Sequence, residues 1–173
     1  FLKENRKGDI FMSLVNTPSG NRLHIGIFGK RNSGKSSLLN AITGQEIALV
    51  SEVKGTTTDP VSKAMEIHPI GPCLLIDTAG FDDTGDLGNM RIEKTKAVLD
   101  KTDVAVVVFS DMQMELETQW IAMLRQRKIP ILAVVNQVDR IEQVQEIKRQ
   151  IEQRFSLTPL LVSAKEKTGI SQM

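Results

Sequence analysis

The stretch Gly29-Lys30-Arg31-Asn32-Ser33-Gly34-Lys35-Ser36 decides the fold, because it lies between a β-type run, Leu23–Phe28, and a helical pattern, Lys35–Thr43. It is a full G-x-x-x-x-G-K-S. Glycines belong in such a loop because its backbone N–H groups must turn inward around phosphate oxygens, an approach that side chains would block. Lys35 supplies a cation to the β and γ phosphates. The Ser36 hydroxyl is placed for Mg²⁺, and the N-terminus of the following helix adds its partial positive charge. Asn32, Ser33, Gly34 and Ser37 complete the candidate phosphate contacts. The loop alone leaves the base and the reaction open.

Outward from this loop, short β-type runs alternate with helical patterns at the spacing of βα units. Strands are expected at Leu23–Phe28, Lys63–His68, Cys73–Ile76, Val104–Phe109, Ile131–Val135 and Leu160–Val162. Helices are expected at Lys35–Thr43, Met90–Lys101, Glu115–Arg127 and Ile141–Phe155, with Gly44 standing where a left-handed residue caps the first. Four strand runs, CLLI, VAVVVF, ILAVV and LLV, are apolar without alternation, as suits parallel strands covered by helices on both faces. AMEIH alternates and reads as an edge strand, joined to CLLI through Pro69 to Pro72 as an antiparallel hairpin. The pattern predicts an α/β fold, a mostly parallel sheet with one antiparallel edge and its ligands at the carboxyl ends of the strands.

Residues 1 to 22 are polar, carry the turn formers Pro18, Ser19 and Gly20, and read as an arm, with Met12 a candidate native start. Residues 23 to 173 form one domain. Only Ser163 to Met173 follow the last strand, too few for a closing helix, so the domain is expected to be cut short there.

Three later segments narrow the ligand. The third strand runs into Asp77-Thr78-Ala79-Gly80, a D-x-x-G whose carboxylate can hold Mg²⁺ through water and whose glycine N–H can meet the γ-phosphate. The fifth ends in Asn136-Gln137-Val138-Asp139, where a carboxylate can accept hydrogen bonds from guanine N1–H and the N2 amino group. Adenine presents no such pair. The sixth ends in Ser163-Ala164-Lys165, a backbone wall for the base. Each segment alone is an ordinary turn; four in this order, each ending a strand, point to a guanine nucleotide.

With these residues the chain resembles a GTPase domain of the translation-factor-like class with a Ras-type fold, over roughly Leu23 to Lys165. The resemblance implies a six-stranded sheet and a switch loop from Ile47 to Pro60. Its Gly55-Thr56-Thr57-Thr58-Asp59 is similar to the tRNA-modifying and ribosome-assembly GTPases, the TrmE and Era kind. There the second threonine meets Mg²⁺ beside the γ-phosphate, which maps to Thr57, with Thr56 next to it. The potassium-activated members carry an asparagine that ligates K⁺ where this chain has Asn32.

A closer resemblance rests on GKRNSGKSSLL at 29–39, GTTTDPV at 55–61, MEIHPIGP at 65–72 and DTAGFDD at 77–83. These words are similar to HydF, the GTPase family of [FeFe]-hydrogenase maturation. That likeness implies a scaffold with separate dimerisation and iron–sulfur domains, which exchanges a diiron precursor with other hydrogenase maturases and apo-hydrogenase. A homodimer is also within its reach.

Composition sets the outer bounds. Hydrophobic residues make up 40% and charged residues 25% of 173, as in a globular protein. Lys and Arg total 22 against 21 Asp and Glu, a net charge of +1 that offers no footprint for nucleic acid or an anionic membrane. No apolar run approaches the roughly 20 residues of a membrane span, and the N-terminus has no signal-type apolar region, so a cytoplasmic protein is expected. One cysteine, Cys73, with His24 and His68, builds no iron–sulfur cluster or zinc site on this chain. Cys73 and both histidines read as structural, as do Met112 and Met114.

Two departures from the general GTPase pattern stand out. Gln137 replaces a lysine whose stem packs over the purine, which should weaken GTP affinity while leaving guanine preference to Asp139. No glutamine follows DTAG, and Asp82, Asp83 and Asp86 suit a charged loop better than a general base. Lys35, Thr57 and Gly80 are therefore the candidate catalytic groups. With the HydF likeness, the expected function is a Mg²⁺-dependent GTP-binding and hydrolysing domain of a hydrogenase-maturation scaffold, whose switch loops regulate a partner or the transfer of the cluster precursor. The alternatives are a largely non-catalytic nucleotide-sensing module and a tRNA-modification or ribosome-assembly GTPase, the last opposed by the near-neutral charge and the HydF-like words.

Overall fold

A computed structural model of the chain describes residues 22–43, 51–53, 62–67, 70–78 and 95–173. Seven strands form one sheet: β1 (Leu23–Gly29), β2 (Ser51–Val53), β3 (Ser62–Ile67), β4 (Gly71–Asp77), β5 (Val104–Phe109), β6 (Ile131–Val135) and β7 (Leu160–Leu161). Their order is β2-β3-β4-β1-β5-β6-β7. The helices are α1 (Lys35–Thr43), α2, described over 95–99, α3 (Glu115–Gln126) and α4 (Val144–Phe155), with a 3₁₀ turn at Ile170–Gln172.

β1 is parallel to β4 on one side and β5 on the other, and β5, β6 and β7 continue parallel. The expected hairpin is present, with β3 antiparallel to β4 and Ile67 opposite Gly71. β3 is not the edge, however. The short strand β2 pairs outside it, antiparallel, Ser51 to Ala64. Ser-Glu-Val is too short and too polar to announce a strand, so its assignment depends on the partner edge.

The unbroken apolar runs have the cause expected of them. Along β5, Val107 and Phe109 enter a core with Trp120, Leu124 and Phe155 on the α3 and α4 side. Val106 and Val108 enter the opposite core with Leu38, Leu39 and Ile170. Successive side chains of a strand point to opposite faces, so both parities must be apolar when helices cover both. The Phe109 ring lies 6.0 Å from that of Phe155, and Phe28 lies 6.2 Å from Trp120. Burying one such aromatic side chain contributes about 1.5–3 kcal/mol. Met114 is fully buried and Met112 packs against the same core, so both serve packing. Cys73 is also fully buried, and desolvation, with Glu66 adding to it, pushes its thiol above the ordinary range.

α4 begins at Val144, three residues later than its apolar pattern suggests. Gln137 has a left-handed backbone, φ 65°, and its carbonyl accepts from the N–H groups of Arg140 and Ile141 at 2.9 and 3.2 Å. That turn consumes the residues before the helix, while Ile141 still packs against the core. Among the described residues no helix is long and apolar enough to cross a membrane.

Candidate functional site

The segments singled out by sequence gather at the carboxyl ends of β1, β4, β6 and β7, the side where an open α/β sheet takes its ligands. β1 ends at Gly29, where an added Cβ would stand 2.7 Å from Ser33 Oγ and 3.1 Å from Val108 Cβ. The loop therefore folds back over its own start only because no side chain is present. Asn32 is left-handed at φ 62°, a conformation asparagine tolerates better than most residues. The Ser33 N–H donates to the Lys30 carbonyl at 3.2 Å, and the Leu38 N–H to the Gly34 carbonyl at 2.8 Å, which starts α1.

Lys35 is buried, with its Nζ donating to the carbonyls of Gly29 at 2.5 Å and Lys30 at 2.7 Å. The ammonium is thus held at the mouth of the loop by the loop's own first residues. Ser33 is fully buried, and its Oγ has no hydrogen-bond partner. A buried, unpartnered hydroxyl in the same loop as a buried ammonium suits the oxygens of an anion. The residues fit a phosphate chain. Ser36 is exposed in the first turn of α1, and Asp77 closes β4 beside β1, in register with Ile27. Both offer the hard oxygens that Mg²⁺ prefers.

One side chain joins the phosphate loop to the base side. Asn136 is 1% exposed, and its Nδ2 donates to the carbonyls of Ser33 at 3.0 Å and Gly34 at 3.3 Å. Its Oδ1 accepts from the Ala164 N–H at 3.1 Å. Gly34, at φ 84°, lies so close that a Cβ there would come within 2.4 Å of Asn136 Nδ2. Gln137 adds a second tie: its Nε2 donates to the Asn32 carbonyl at 2.7 Å. The glutamine thus spans base side and loop through its amide, a contact that the missing lysine stem does not suggest. Next to these ties lies a cavity of about 210 Å³ whose lining includes Gly34, Ser37, Gln137, Asp139, Ala164 and Lys165.

Asp139 is exposed at that cavity and accepts from the Ser163 hydroxyl at 2.6 Å. This hydrogen bond, above all, holds its carboxyl below the usual range, with Lys165 and Arg140 assisting. Ser163 in turn is buried and accepts from the Glu166 N–H at 3.1 Å, which fixes the hydroxyl's direction. Lys165 stays exposed, 3.8 Å from Glu166.

The structure therefore brings together Asn32, Ser33, Gly34, Lys35 and Ser37 with Asn136, Gln137, Asp139, Ser163, Ala164 and Lys165. Thr56, Thr57 and Gly80 lie outside the described residues, as do Gly44, His68, Asp82, Asp83 and Asp86. Sequence patterns did not single out Lys30, Asp111 or Glu117, which form a charged cluster at the start of the loop. The Lys30 Nζ donates to Asp111 Oδ1 at 2.7 Å. No motif marks these three, since the partners are 81 residues apart for the first pair.

Comparison with known proteins agrees with this geometry. The family model described as a 50S ribosome-binding GTPase matches residues 24–137. The tRNA modification GTPase MnmE of Bordetella petrii is 38% identical over 155 residues, covering 87% of this chain and 32% of that protein. GTPase Der of Wolinella succinogenes is 34% identical over 143 residues, covering 77% of this chain and 29% of that one. The chain thus spans about a third of these curated relatives. Among solved structures, an Aquifex aeolicus Era variant bound to GDP and AlF4⁻ superposes with a TM-score of 0.66 at 24% identity, over 86% of this chain and 53% of that one, a likeness of fold.

The Ser163–Asp139 contact makes a pH prediction. A carboxyl with a depressed pKa stays charged, and able to accept from a base, until the pH falls through that lowered value. Ser163→Ala removes the main cause, so the acid limb of GDP binding should move to higher pH in a titration of affinity between pH 3 and 7; an unmoved limb would contradict the assignment.

Proposed function

The chain belongs to the 50S ribosome-binding GTPase family, and from that premise we propose that it binds guanine nucleotide at this cavity and hydrolyses GTP to GDP and phosphate. The single observation behind the reading is the buried Asn136 amide. It fixes the phosphate loop and the Asp139 side of the site in one rigid unit. Asp139 would accept from guanine N1–H and N2 amino, with Ser163 holding the carboxylate in place.

The phosphate chain would take the loop amides, the Ser33 hydroxyl and the Lys35 ammonium. Placed by carbonyls at the loop's start, that ammonium meets developing charge without reorganising, which is where such a site obtains most of its rate. Ser36 and Asp77 would hold Mg²⁺, Asp77 through water, and Mg²⁺ when bound neutralises phosphate charge. Thr57 and Gly80 are assigned to the γ-phosphate side on the G-T-T-x-D and D-x-x-G patterns. Asn32, left-handed and tied at its carbonyl to Gln137, is assigned as a K⁺ ligand. In this reading intrinsic hydrolysis would be slow, and the GTP or GDP state would set the conformation read by a partner.

For the client, the comparisons favour tRNA modification or ribosome-related work, since MnmE is a tRNA modification GTPase and the matching family model is described as a 50S ribosome-binding GTPase. A second reading, a HydF-like hydrogenase-maturation scaffold, draws on GTTTDPV at 55–61 and MEIHPIGP at 65–72. The reading frame beyond Met173 separates them: cysteines and histidine spaced for a cluster support maturation, and their absence supports the RNA-directed reading.

Asp139→Asn tests the base assignment. Its amide can meet xanthine, which presents a carbonyl where guanine has an amino group, and loses two charge-assisted hydrogen bonds to guanine. At roughly 1.5 kcal/mol each, GTP affinity should fall about 100-fold while XTP affinity rises; GTP binding within about threefold of wild type would refute it. For Asn32, single-turnover hydrolysis should slow by about tenfold or more when Na⁺ replaces K⁺, and equal rates would remove the cation role.

A further inference from the structure

Lys30 stands at the second position of the phosphate loop, and its two ends do different work. Its backbone carbonyl accepts from Lys35 Nζ at 2.7 Å and from the Ser33 N–H at 3.2 Å. Its side chain leaves the loop for the β5–α3 connection, where Nζ donates to Asp111 Oδ1 at 2.7 Å and also to the Gln113 carbonyl. Asp111 Oδ1 accepts from the Gln113 N–H at 2.8 Å as well, so the receiving turn is itself closed. Behind Lys30 lies Glu117, in the first turn of α3, with its side chain 2% exposed. Its Oε2 is 3.9 Å from Lys30 Nζ, within ion-pair range, and makes no hydrogen bond.

A buried carboxylate oxygen without a hydrogen-bond partner is costly, and cores rarely keep one for packing alone. Here it faces a residue that carries both the loop's anchor and one of the two carbonyls holding Lys35. We propose that Asp111 and Glu117 are positioning residues of the nucleotide site, which act through Lys30 to fix the start of the phosphate loop, Glu117 adding its hold only when charged. The inference rests on the nucleotide site assigned above. Asp111 supplies the permanent anchor through a direct hydrogen bond. Glu117 supplies a conditional one.

The condition falls near neutrality. Burial is the largest influence on Glu117 and pushes its carboxyl up to about 7. A hydrogen bond from its own backbone N–H opposes that rise most, then Lys30 from the loop, while Asp111 from the β5–α3 connection and Glu115 from the same helix add to it. At pH 8 the carboxylate is charged and draws Lys30 toward α3; at pH 6 it is neutral and Asp111 holds Lys30 alone. A firmer loop keeps the Lys35 ammonium and the inward amides on the phosphates longer, so nucleotide should leave more slowly at the higher pH.

The test is the release rate of a fluorescent N-methylanthraniloyl GDP from the wild-type chain and from Glu117→Gln, each at pH 6 and pH 8. The glutamine is nearly isosteric and always neutral. It should release GDP about three- to tenfold faster than wild type at pH 8, the scale of one partly buried ion pair, and within about twofold of it at pH 6. The nucleotide's own ionisation is common to both proteins and cancels in the ratio. A ratio equal at the two pH values, which packing alone would give, overturns the proposal, as does a ratio of one throughout. Lys30→Met decides the matter where the glutamine variant does not fold: its release should lack the wild-type acceleration between pH 8 and pH 6. An unchanged acceleration overturns it. A wild-type chain that binds no GDP would overturn both this inference and the site beneath it.

Discussion

A buried amide is the main tie between the two sides of the candidate nucleotide site. Asn136 directly follows β6, yet its three hydrogen bonds reach the phosphate loop after β1 and the backbone after β7. In a buried position each of these groups would otherwise lose water without compensation, at about 1–3 kcal/mol apiece. The same side chain dictates its neighbour, because Gly34 approaches Nδ2 too closely to carry a Cβ. Loop conformation, base cavity and the placement of Ala164 are therefore consequences of one residue's geometry.

The sheet makes that reach short. With β1 flanked by β4 and β5, and β6 and β7 following in parallel, the chemically informative segments among the described residues emerge at the carboxyl ends of neighbouring strands. Apolar residues of both parities along β5 and β6 lock those strands between two cores, so the strand ends are rigid supports for the loops. Around this frame the carboxylates divide by environment. Asp139 is exposed and kept charged by a hydroxyl, as base recognition requires, whereas Glu117 is buried and pushed toward neutrality. In the proposed site the first would meet the base, and the second would act behind it.

Much of this was legible in the residues. VAVVVF and ILAVV are strands over the residues read from the sequence, because burial on both faces leaves an unbroken apolar word. α1 likewise spans Lys35–Thr43, fixed by the loop before it. The elements that differ do so for tertiary reasons: β2 needs β3 beside it, and α4 starts late because the Gln137 turn uses up its first residues. In the site, patterned residues such as Asn136 and Asp139 could be named in advance, but the Gln137 tie to Asn32 could not. Glu117 was hidden more deeply. An acid in the first turn of an amphipathic helix is ordinary, and only the packing of α3 against the loop makes it a buried partner of Lys30.

The most direct measurement is Asn136→Ala, followed by GDP affinity and by backbone amide hydrogen exchange. The account predicts at least about tenfold weaker GDP binding, together with faster exchange at the Ala164 amide and around Ser33 and Gly34, on the two sides that Asn136 joins. GDP affinity within about twofold of wild type, with exchange unchanged at Ala164, would contradict the claim that this amide unites the site.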